Sequence, residues 1–250
     1  MRQRHRASSN KVGMETKTIS YDFDGTEMIG YLALPDASGP RPGVLVSHEG
    51  PGLDEHAKSK AERLAALGYV ALALDYHGGG QCFIDLATTR AKLGPLMGDP
   101  DRIRGLGKAG LGVLLDQPQV DPARVAAIGY CFGGTMSLEL ARAGTDLKAA
   151  IGFHSGLATA RPEDAANITA KVLVCIGADD PLIPAEQRAA FEAEMRAGKV
   201  DWRMNLYGRA AHSFTNPNAG RLGIPGIAYD QVTDERSWRA MLDLFAEVGM

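Results

Sequence analysis

Residues 129–134 read Gly-Tyr-Cys-Phe-Gly-Gly, so Cys131 has glycine two positions before it and two after it. The run Val125-Ala126-Ala127-Ile128 precedes this segment, and a stretch with helical spacing through Met136, Leu138 and Leu140 follows it. A nucleophile on a sharp strand-to-helix turn needs such neighbours. Side chains at those positions would collide, and glycine removes them while tolerating unusual backbone angles. The start of the helix carries partial positive charge, which favours a thiolate and a negative oxygen beside it. An isolated thiol is only a few per cent ionised at neutral pH, so a cysteine nucleophile requires a base, and the base requires an orienting acid. Asp180, between Gly177 and the prolines Pro181 and Pro184, supplies the acid. Its neighbour Asp179 is the rival. His212, with small Ala210 and Ala211 before it and Phe214 after it, supplies the base. Cys131, Asp180 and His212 thus stand in the chain order nucleophile, acid, histidine.

The elements that position them follow from apolar periodicity. Alternating stretches at 18–23 and 28–34, split by Asp24-Gly25, predict a hairpin. From Gly43 onward, continuous apolar runs predict strands at 44–46, 69–74, 125–129, 149–151 and 172–176, with a further one at 202–207. Helical stretches lie at 56–67, 102–117, 134–143, 185–198 and 231–248. This alternation predicts one mostly parallel sheet covered by helices on both faces, whose function sits at the carboxyl ends of the strands. Those ends carry Ser47-His48-Glu49-Gly50, Asp75-Tyr76-His77 with Gly78 to Gly80, Cys131, His154, Asp180 and His212. His48, His77 and His154 are expected to line the cleft, and His5 and His56 to face solvent. Residues 1–16 are read as a disordered leader and 17–250 as a single domain.

Composition narrows the function classes. A net charge of −3 gives no basic footprint for nucleic acid. Three scattered cysteines form neither a disulfide framework nor a metal-ligand pattern, and they fit a reducing, cytoplasmic setting. No apolar run approaches membrane-spanning length. No metal or cofactor is expected. The partner implied is a small molecule, on a monomer or small homo-oligomer.

The motifs around Cys131, from Gly177 to Pro184, from Gly208 to Phe214, and from Gly68-Tyr69 to Asp75-Tyr76 resemble the dienelactone hydrolase family, from about Ile19 to the C-terminus. The resemblance implies an α/β-hydrolase fold and a Cys131, Asp180, His212 triad. It also implies that Glu49 pairs with the resting thiol and takes its proton. The backbone N–H groups of Phe132 and Gly50 would then form the oxyanion hole. The expected activity is hydrolysis of an ester or lactone through a thioacyl-enzyme. Acyl transfer and a non-catalytic binding protein are the alternatives. The family's two carboxylate-binding arginines map near Gly79 and to Asn216, neither of them cationic, so an uncharged substrate is expected. Tyr76, His77, His154, Phe214 and Asn216 are the expected substrate-binding residues.

Overall fold

The computed structural model describes residues 4–11 and 13–250, with side chains described from Gly13 onward, Leu222 excepted. His5 lies outside the residues whose side chains are described. Among the described residues nine strands form one sheet: β1 (Arg4–Lys11), β2 (Met14–Phe23), β3 (Thr26–Pro35), β4 (Arg41–Ser47), β5 (Val70–Leu74), β6 (Val120–Tyr130), β7 (Ala149–Phe153), β8 (Lys171–Gly177) and β9 (Trp202–Tyr207). Their order is β1-β2-β3-β5-β4-β6-β7-β8-β9. The first three strands are antiparallel and β3 meets β5 antiparallel. From β5 to β9 every pairing is parallel.

Side-chain alternation divides the core between the two faces. Val44 and Val46 of β4 join one apolar cluster, while Leu45 between them joins the other. The helices α1 (Glu55–Ala66) and α6 (Gln231–Glu247) cover the first face with Ala61, Leu64, Trp238 and Phe245. The second face is covered by α3 (Pro100–Leu115), α4 (Phe132–Arg142) and α5 (Ala185–Ala197), through Leu106, Leu114, Met136, Leu140 and Phe191. A helical stripe over a strand buried on both sides is the expected origin of such layers. Among the described residues, no helix is long and apolar enough to cross a membrane.

Three features depart from the sequence reading. Arg4–Lys11, read as part of a disordered leader, pairs antiparallel with β2, and Met14 to Thr16 belong to β2 itself. The segment is polar, so backbone pairing forms it without an apolar signal. The helix α2 (Leu86–Leu93) was not expected, because it buries only Thr89 and carries no apolar stripe; Asp85 caps it by accepting from Thr88 N–H. His56, expected in solvent, is buried on α1.

Candidate active site

Cys131 occupies the turn between β6 and α4 with φ of 54°, a conformation that costs a non-glycine residue free energy and clusters at functional sites. The glycines around it are sterically required. A Cβ on Gly129 would lie 2.0 Å from the Gly133 carbonyl oxygen, and one on Gly133 would lie 2.2 Å from that of Ser47. The Cys131 N–H donates to Phe153 O at 3.0 Å and to His154 Nδ1 at 3.2 Å, which fixes the turn on the end of β7. His154 and Ser213 also have positive φ, so three of the positive-φ non-glycine residues lie on the loops that follow β6, β7 and β9.

The loop after β9 brings His212 to Asp180, on the loop after β8, with Nδ1 2.7 Å from Oδ2. Both side chains are buried. Asp179, the rival carboxylate, is anchored there through its backbone, its N–H donating to Ala210 O. His212 Nε2 has no hydrogen-bond partner at full bonding geometry. It nevertheless lies close enough to Cys131 to couple with it. Burial opposes the imidazolium, but the charge of nearby Cys131 and the hydrogen bond to Asp180 outweigh that and raise His212 to about 10.

Glu49, on the loop after β4, lies in a neighbouring buried cluster. Ser213 Oγ donates to its Oε1 at 2.6 Å, and Asn216 Nδ2 donates to its Oε2 at 2.5 Å. His154 Nδ1 and His56 Nδ1 each stand 3.9 Å from one of its oxygens. The pairing of Glu49 with the resting thiol is therefore not the arrangement seen; both oxygens are engaged elsewhere. Burial raises the Glu49 carboxyl above its usual range, against the two hydrogen bonds that lower it. His56 and His154 are both kept neutral chiefly by burial, with His56 lowered to about 3. Thr215 ties them together, His154 Nε2 meeting its Oγ1 at 2.8 Å and His56 Nε2 its carbonyl at 3.0 Å.

A cavity of about 600 Å3 opens over Cys131 and His212. Its walls are largely apolar, with Leu93, Met97, Ile103, Phe132, Leu182 and Ile183 among them. None of the five side chains expected to bind substrate is part of this lining. Asn216 is instead a ligand of Glu49, and Phe214 is fully buried against the edge of His154. Tyr76 and His77 brace the β4 loop: Tyr76 OH donates to Glu49 O at 2.8 Å, and His77 Nε2 meets Gly50 O at 2.8 Å. His48 stacks on Tyr76 with ring centroids 3.7 Å apart, and its Nδ1 also meets Glu49 O, at 2.6 Å. Polar residues at strand ends were expected to face the cleft, but three strand-end histidines satisfy backbone groups instead. Since the peptide bonds are trans, fixing Glu49 O also fixes the N–H of Gly50 on the opposite side. The Phe132 N–H, at the first position of α4, has no intrahelical carbonyl to meet.

The sequence reading missed Ser213, Thr215 and the apolar walls. Ser213 had a signal, since it adjoins His212 in the His-Ser-Phe segment. Leu93 and Met97 had none, because they lie on and just after α2.

A mostly parallel sheet with helices on both faces, an elbow cysteine and an Asp-His pair on the following loops define a member of the α/β-hydrolase superfamily. The family model for dienelactone hydrolases matches residues 28–249, and the chain belongs to that family. A dienelactone hydrolase-like promiscuous phosphotriesterase from metagenomic libraries is 46% identical, with TM-score 0.90, over 94% of this chain and 99% of its own. A Salmonella typhimurium protein provisionally named carboxymethylenebutenolidase is 29% identical over 92% of this chain and 86% of its own. A Bradyrhizobium protein provisionally named as a lactonase of an oxofuranylidene propanoate is 28% identical, over 80% and 86%. The protein is an ester or lactone hydrolase of this family.

Proposed function

We propose that the protein hydrolyses an uncharged small ester or lactone through a thioacyl-enzyme on Cys131. The observation that carries this reading is the convergence of Cys131 and the Asp180-bonded His212 on one cavity whose lining contains no lysine or arginine. His212 Nε2 takes the Cys131 proton, and Sγ attacks the carbonyl carbon. The oxyanion so formed is stabilised by the N–H groups of Phe132 and Gly50, each such donor contributing about 3 kcal/mol. Collapse breaks the acyl–oxygen bond while His212 returns its proton to the leaving alkoxide. Water, deprotonated by His212, then attacks the thioester and releases the thiolate. For a lactone the alcohol stays tethered, so water must reach the thioester before the ring recloses. Asp180 holds the imidazole in orientation throughout.

An anionic substrate would enter this cavity without a paired cation, and an unpaired buried charge is costly. Arg90, on the exposed face of α2, and Arg209 and Arg221 are not among the lining residues. The test is kcat/KM for an anionic lactone against its neutral methyl ester, in wild type and in Cys131→Ala. Preference for the neutral ester, lost in the variant, is expected; preference for the anion would reject the substrate class.

The phosphotriesterase relative supports a second reading on the same site. A neutral phosphotriester fits a lining without cations, and Cys131 Sγ would displace an alkoxide from phosphorus before water cleaves the sulfur–phosphorus bond. Loss of triester turnover in Cys131→Ala, in parallel with ester turnover, is the expected result.

A further inference from the structure

The polar groups in the cavity wall are mostly committed to protein partners. Glu139 accepts from Arg142 Nη1 at Oε1 and from Arg104 Nε at Oε2. Thr135 Oγ1 donates to Gly156 O at 2.9 Å, and Thr159 Oγ1 accepts from the Arg161 N–H. Gln187 differs. It lines the cavity from the first turn of α5, and its Oε1 accepts from the Leu157 N–H at 2.7 Å.

That bond fixes which way the amide faces. A backbone N–H can only donate, so the atom meeting it must be the amide oxygen, and the NH2 group is turned to the other side. No acceptor for that NH2 is found among the described residues. The segment is itself held, with Gln187 N–H donating to Pro184 O and Arg188 Nη1 donating to Ile183 O at 2.8 Å. The result is an oriented, neutral double donor in a wall that also carries Leu182, Ile183, Ile103 and Met97. An alkyl chain filling the cavity would strip water from this donor and return nothing, which disfavours plain alkyl substrates.

Resting on the ester-hydrolase reading, we propose that Gln187 is a specificity-determining residue. Its NH2 hydrogen-bonds a second uncharged oxygen acceptor of the substrate, a ketone, ester or ether oxygen remote from the scissile carbonyl. The substrate class is then a largely apolar ester or lactone with one further neutral acceptor.

The test compares p-nitrophenyl hexanoate with its monoketo counterparts, reading the ratio of kcat/KM values within each protein so that the plain ester serves as internal reference. Wild type should prefer at least one keto ester, by about tenfold for one well-made hydrogen bond. Gln187→Glu keeps an oxygen for the Leu157 N–H but presents only oxygen to the cavity, so the preference should disappear or invert. Gln187→Met should bring the ratio near one. A Gln187→Glu ratio within about twofold of wild type, or a wild type indifferent to every keto ester, overturns the assignment. A folded wild type that hydrolyses none of these esters would reject the proposed neutral-ester substrate class, and the assignment with it.

Discussion

Two buried polar clusters meet at His212 and Ser213, adjacent residues on one loop, and they are built on opposite plans. In the first, Asp180 bonds His212 Nδ1, and the chain of bonds stops at Nε2, which stands open toward Cys131. In the second, Ser213 and Asn216 take one Glu49 oxygen each, and Thr215 ties His154 to His56, leaving only His56 Nδ1, 3.9 Å from Glu49 and away from the cavity lining, without a hydrogen-bond partner. Burial acts on both but with different outcomes. It is overcome at His212, where the nearby cysteine and carboxylate favour the cation, and it prevails at Glu49, where the carboxyl is raised. An ionisable group with a bond unspent toward a cavity can move a proton. One whose two oxygens are both engaged within the protein holds geometry, here the positive-φ residue beside the proposed base.

The largest effects should come from the open cluster. His212→Ala should lower kcat by about four to six orders of magnitude, and Asp180→Asn by about four, as for triads that act as a unit. Asp179→Asn should change kcat by less than about threefold; the reverse ranking of the two aspartates in steady-state assays would break the comparison. Next comes the closed cluster. Glu49→Gln disturbs one of two hydrogen bonds and should cost about tenfold in kcat/KM, whereas Glu49→Ala frees both donors and should cost about a hundredfold. Equal losses would show that the charge, and not the bonding, is what matters. Tyr76→Phe removes one of the bonds that fix the Glu49–Gly50 peptide, so kcat should fall by up to about tenfold with KM little changed. A change confined to KM would place Tyr76 at the substrate instead.

The smallest effect is on stability. With His212 raised from 6.5 to about 10 on folding, its contribution is fully present below 6.5 and is lost as pH climbs toward about 10. Denaturant unfolding across that window should show wild-type stability declining more steeply than that of His212→Gln. Because Cys131 is the largest influence raising the imidazole, its titration in Cys131→Ala should move down; an unmoved titration would uncouple the two residues.

The layers of the fold were legible because buried parallel strands and amphipathic helices both leave a periodic apolar trace. The two added elements left none: β1 is polar and edge-paired, and α2 buries a single threonine. At the site, Cys131, Asp180 and His212 could be read because their chemistry demands particular neighbours, above all Gly129 and Gly133, where a Cβ cannot fit. The assignment of His77, His154 and Tyr76 to substrate failed for a physical reason. A polar ring at a strand end can face the cleft or satisfy a carbonyl of the next loop, and composition does not distinguish the two. Here burial decided for His154, fully enclosed, and Tyr76, nearly so, while half-buried His77 is held by the Gly50 carbonyl. Asn216 was read for the charge it lacks, and its bond to Glu49 depends on a loop contact across 167 positions that no local pattern announces.

Covalent catalysis at Cys131 is tested most directly by rapid acid quench during turnover of a neutral p-nitrophenyl ester, followed by mass spectrometry of the peptide that contains Cys131. The expected result is that peptide carrying the mass of the acyl group, accumulating within the first turnover in wild type and absent in Cys131→Ala, which should be folded and inactive. An unmodified Cys131 throughout turnover, together with wild-type rates in Cys131→Ala, would contradict it.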